Sequence, residues 1–122
     1  MRLVVITSDE PFYSSIENAA STYGWKVSRT ASVAEAMGRL RQSPAPLIVY
    51  DCTAMDGQWE ADLDRMTAVG GGLCVVLASR VVDDYLLQDV VRRGGEDIVP
   101  RSADRVIQAV RFASFRRRHG QI

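Results

Sequence analysis

The chain has 122 residues, the size of one domain able to bury a core of its own, with 47% hydrophobic and 25% charged residues, an ordinary globular balance. Its 15 basic and 15 acidic residues cancel, which excludes a global pull toward nucleic acid or membrane. Cys52 and Cys74 are too few for a disulfide scaffold, no apolar stretch approaches the roughly 20 residues of a membrane span, and no signal-peptide pattern opens the chain. The expectation is a single cytoplasmic domain over 1–122.

In chain order, the apolar run 2–6 predicts a buried strand. Pro11 suits a first helical turn, and Phe12, Ile16, Ala19, Ala20 and Tyr23 then share one helical face. A second strand is read over 25–29. Val33, Ala36, Met37 and Leu40 form the stripe of a second helix, which ends before Pro44. The run 47–50 predicts a third strand. Trp59, Leu63, Met66 and Val69 line a third helix, stopped by the three glycines at 70–72. A fourth strand covers 73–78, followed by a helix bearing Val82, Leu86, Leu87 and Val90 on one side and closed by Gly94-Gly95. A fifth strand is read over 97–99. Ser102 then caps a helix with Val106, Ile107, Val110, Phe112 and Ala113 on its inner face. Strand and helix alternate throughout, with short connections and no repeat. This predicts an α/β fold, a doubly wound five-stranded parallel sheet.

Such a sheet gives two acids a special place. Asp51 closes the third strand and Asp9 follows the first. Parallel strands bring their carboxyl ends to one edge, where open α/β folds place their sites. Two carboxylates gathered there are a natural seat for a hard divalent cation such as Mg2+.

With these positions the chain resembles the receiver domain of bacterial two-component response regulators, a flavodoxin-like (βα)5 fold, over essentially its whole length. Ser8-Asp9-Glu10-Pro11 stands where that family usually shows Asp-Asp-Glu-Pro. Asp51 matches the phospho-accepting aspartate, and Met55-Asp56-Gly57 the Met-Asp-Gly that follows it. Leu77-Ala78-Ser79 resembles Leu-Thr-Ala, with Ser79 at the hydroxyl position when counted back from Gly94-Gly95. The stretch 94–102 resembles Gly-Ala-Asp-Asp-Tyr-Leu-x-Lys-Pro and sets Arg101 at the lysine position.

The resemblance implies a phosphorelay signalling module and not an enzyme. Asp51 would attack a phosphoryl group delivered by a sensor histidine kinase and carry it as an acyl phosphate. Asp9, Asp51 and the Thr53 backbone carbonyl would hold Mg2+, offsetting the charge of the incoming group. Ser79 would hydrogen-bond a phosphoryl oxygen, and Arg101 would pair with the phosphoryl group. The surface around the fourth helix, fifth strand and fifth helix would contact an output domain or partner protein, or a second copy in a homodimer. The 122 residues would be a whole regulator or the excised N-terminal domain of a longer one.

The departures from the family pattern support a second reading. Ser8 removes one acid from the metal site. Arg101 replaces a compact ammonium with a longer planar fork. Ile98 stands where the family carries an aromatic switch residue, and the loop after Asp51 is two residues shorter and lacks its proline. On this reading the chain is a pseudo-receiver, a protein-interaction module acting independently of phosphorylation. A third class, nucleotide binding, lacks both G-x-G-x-x-G and G-x-x-x-x-G-K-[ST].

Blander roles accompany each residue. Asp9 and Ser79 also read as helix caps, and Arg101 as a solvated cation. Cys52 is expected against the core, without redox character. Trp25 and Trp59 read as packing. A single His119 argues against zinc. The cluster 116–119 suits a helix C-terminus, or contact with an acidic partner; as a footprint for nucleic acid it is too small.

Overall fold

Short runs of β-branched and aliphatic residues alternate here with amphipathic stretches, and the chain winds accordingly. The computed structural model describes residues 1–42, 45, 47–53, 58–68 and 73–119. Its elements are β1 (Arg2–Ile6), α1 (Glu10–Ser21), β2 (Lys26–Thr30), α2 (Val33–Gln42), β3 (Leu47–Asp51), α3 (Trp59–Ala68), β4 (Cys74–Ser79), α4 (Asp84–Arg92), β5 (Asp97–Pro100) and α5 (Ala103–His119). All strand pairs are parallel, in the order β2-β1-β3-β4-β5. The predicted α/β fold is the one observed.

Side chains alternate across the strands and build two cores. Leu3, Val5, Leu47, Val49, Val76 and Val99 pack against α1 and α5. Val4, Ile6, Ile48, Tyr50, Val75 and Leu77 pack against α2, α3 and α4. Buried on both faces, β1, β3 and β4 need the continuous apolar runs that betray them in the sequence.

The chain steps from β1 outward to β2, then returns past β1 to begin β3. The switch point between β1 and β3 opens a crevice at their carboxyl ends. Local chemistry fixes the helix starts: the Asp9 side chain accepts from Phe12 N at 3.1 Å and caps α1, and Asp83 accepts from Leu86 N at 2.8 Å and caps α4. α4 ends through Gly94, whose φ of 93° is left-handed backbone that suits glycine.

Several side chains read as buried are not. Tyr23 lies beyond the end of α1, 43% exposed and stacked on Trp25. Val82 precedes α4, which starts two residues later, and is exposed. Phe112 faces outward from α5 at 63% exposure. Helical spacing marks a stripe but not its width, so it does not separate residues at the stripe's margin from those inside it. Pro44, Val69 and the glycines at 70–72 lie outside the described residues. Among those described, no helix is long and apolar enough to cross a membrane.

Candidate functional site: an acid pair closed by an arginine

Strand alternation builds the site. Val5, Val49 and Val99 share the face covered by α1 and α5, and two residues further along each chain segment stand Thr7, Asp51 and Arg101. The same parity that buries three valines carries a hydroxyl, a carboxylate and a guanidinium to one point.

Asp51 is fully buried, at 0% exposure. Its Oδ1 accepts from Arg101 Nε at 2.8 Å and from Thr53 N at 3.2 Å; its Oδ2 accepts from Thr7 Oγ1 at 2.7 Å and Arg101 Nη2 at 3.0 Å. The Arg101 fork therefore grips both oxygens of one carboxylate, the strongest geometry an arginine offers. Arg101 Nη2 also donates to Asp9 Oδ2 at 2.7 Å. Thr7 Oγ1 accepts from Asp9 N at 3.0 Å, tying the two acids together through one hydroxyl. The Arg101 guanidinium lies 4.5 Å from the centre of the Phe12 ring, an aromatic face that suits a cation.

Electrostatics follow the contacts. The hydrogen bond from Arg101, helped by the Phe12 amide, holds the Asp9 carboxyl below the ordinary carboxylate value. Hydrogen bonding to Asp51, and then to Asp9, outweighs burial and holds Arg101 above the usual guanidinium range. Next along the chain, the Cys52 thiol is pushed up to about 12, chiefly by burial and then by the Asp51 charge. It packs against the core beneath α2, α3 and α4, as the sequence suggested, and remains a thiol at neutral pH.

Of the residues singled out from the sequence, Asp9, Asp51 and Arg101 are brought into direct contact. Thr53 joins through its amide, which donates to Asp51. Ser79 is engaged with its own loop, its Oγ accepting from Val81 N at 3.1 Å; it lies five residues before α4 and does not cap it. Met55-Asp56-Gly57 lies outside the described residues. Two contributors went unrecognised in the sequence, Thr7 and Phe12. Thr7 had a signal, a polar residue at the parity of Leu3 and Val5 one step beyond their strand.

The donor set does not fit a divalent ion as arranged. The carboxylate oxygens that would coordinate it receive guanidinium N–H groups at 2.7–3.0 Å, and Ser8 contributes no charge. Among the described residues, no group of three or more His, Cys, Asp or Glu side chains could hold a metal ion.

No protein-family model matches the chain, and no curated protein does. Solved structures do. A response regulator from Thermotoga maritima superposes with a TM-score of 0.81, at 19% identity over 92% of this chain and 95% of that one. The chain has the receiver fold. An atypical orphan response regulator, described as having a phosphorylation-independent regulatory mechanism, matches with a TM-score of 0.79, 15% identity and coverage of 98% and 97%. An orphan response regulator of H. pylori matches at 0.75 and 15%, over 93% and 94%. In this receiver fold Asp51 ends the third strand and Arg101 follows the fifth, the positions assigned to them from the sequence.

Proposed function

We propose that this chain is a receiver-like signalling domain that acts without phosphorylation, with the Arg101 guanidinium as its built-in cation. The observation that carries this reading is the bidentate grip of Arg101 on the fully buried Asp51. A carboxylate that is to attack phosphorus needs an oxygen open to the donor and a cation to screen the donor's charge. Here both oxygens are covered, and the screening charge sits on the carboxylate itself. The loss of an acid at Ser8 is consistent with this, because a smaller negative charge needs a smaller counter-charge. The fold shared with an orphan regulator described as phosphorylation-independent supports the same reading. Signals would then pass by contact with a partner or output domain, and the buried ion-pair cluster would hold one conformation of the crevice.

The phospho-accepting reading retains one observation in its favour: Asp9 and Asp51 stand together at the switch point, in the register of the metal and acceptor positions. It assigns Mg2+ to Asp9, Asp51 and the Thr53 carbonyl and a sensor histidine kinase as donor, and it requires Arg101 to release both acids.

Intact mass after incubation with Mg2+ and acetyl phosphate separates the two. We expect no gain of a phosphoryl group (about 80 Da) and no shift of the melting midpoint with Mg2+. An adduct that disappears in Asp51→Asn would sink the proposal and assign the phospho-accepting role.

A further inference from the structure

Two surfaces at opposite ends of the sheet complement each other. At the amino ends of the strands, Met1, Leu47, Tyr23 and Trp25 form one wall of a groove of about 850 Å3, and Phe112 and Phe115 of α5 form the other. Arg111 and Arg117 are its charged members, and none of its described lining residues is acidic. Arg111 lies 4.7 Å from the Tyr23 ring centre, so a cation already caps the aromatic wall. The helix behind it carries Arg105, Arg111, Arg116 and Arg117 against one acid, Asp104, with Arg116 paired to Glu96 at 3.2 Å.

At the other end, the link from β4 and the first residues of α4 present a run of six exposed residues, 80–85, which opens with the basic Arg80. Val81 is 60% and Tyr85 81% exposed, and Val82 is exposed beside them. Between these apolar groups stand Asp83 and Asp84. The groove is basic and aromatic; the projection 81–85 is acidic and apolar. Since the two lie at opposite ends of one molecule, neither can satisfy the other within a single chain.

We propose that the occupant of the α5 groove is the 81–85 projection of a second copy of this chain, with Tyr85 as the aromatic anchor and Asp83 and Asp84 facing Arg111 and Arg117. Aromatic residues and arginine dominate the energetics of such contacts, and opposite charges set their register. The contact is heterologous, because each copy offers a different patch. Copies then add head to tail, into open chains unless the rotation between them closes a ring. One projection in one groove is a small interface, so association belongs in the range of about tens to hundreds of micromolar. It does not depend on whether Asp51 accepts phosphate.

Sedimentation velocity on the full chain up to about 1 mM tests this, together with Tyr85→Ser and Phe112→Ser. Both side chains are largely exposed, and their replacement leaves the core intact. The wild type should form species that grow with concentration and shrink as salt is raised, since the paired charges are exposed. Either variant alone should associate at least about tenfold more weakly. An equimolar mixture of the two should form dimers and nothing larger, because one intact projection meets one intact groove; recovery in the mixture also shows that both variants are folded. A monomer at every concentration would overturn the proposal, leaving the groove to a foreign acidic partner. So would association that survives Phe112→Ser, or a mixture that stays monomeric.

Discussion

Arg101 concentrates the chemistry of this molecule into one side chain. Its fork neutralises a carboxylate with no access to water, and removing one partner of such a pair leaves a buried charge unopposed. Arg101→Ala is therefore expected to lower stability by about 3–5 kcal/mol, read from urea unfolding. Arg101→Lys should lose less, since it keeps the charge and gives up the second hydrogen bond. Thr7→Val tests the hydroxyl that links the acids: it keeps the volume and removes the donor to Asp51 Oδ2. About 1–3 kcal/mol is the expected cost of leaving that buried oxygen one bond short. Cys52, half-buried and with its thiol raised to about 12, should alkylate slowly at pH 8 in the native state and faster on unfolding; equally fast labelling of native and unfolded protein would contradict that shift.

At the scale of elements, the junction between α4 and β5 is the most tightly specified. Gly94 donates to the Val91 carbonyl at 3.0 Å and Gly95 to that of Val90 at 2.9 Å, closing the helix before the chain enters the sheet. A Cβ on Gly95 would come within 2.6 Å of Val90 Cγ1 and 3.1 Å of the Val90 carbonyl oxygen. Gly95→Ala must then displace buried Val90 or the helix end, at a cost of about 1–3 kcal/mol, measurable as a lower unfolding midpoint. The glycine pair was legible in the sequence as a helix terminus. The contact that forbids a methyl group was not, because it depends on how α4 lies against the sheet.

At the scale of the whole molecule, the cluster at the switch point ties folding to pH. The Asp9 carboxyl titrates below its ordinary value in the folded state. Its contribution is fully present above the unfolded pKa of about 4 and is lost as pH falls through the lower folded value. Arg101 keeps its proton throughout that range. Stability should thus fall on the acid side of about pH 4, and Asp9→Asn should flatten that limb in pH-dependent unfolding.

The alternation of apolar runs with helical stripes determined the fold by itself, because a parallel sheet covered on both faces can be built only from such runs. It also determined that Asp9 and Asp51 would stand close together, since strand ends in one sheet share an edge; Arg101 was placed beside them only by the resemblance to receivers. The sequence left the partners of those groups open: cation, phosphoryl group or one another. Tertiary structure decided it, through the reach of a guanidinium that begins two residues past Val99 and is long enough to span both acids. It likewise decided Thr7, Tyr23, Val82 and Phe112, whose places depend on where each helix begins and how it is rotated against its neighbours. Spacing along a chain records a period; only packing supplies its phase.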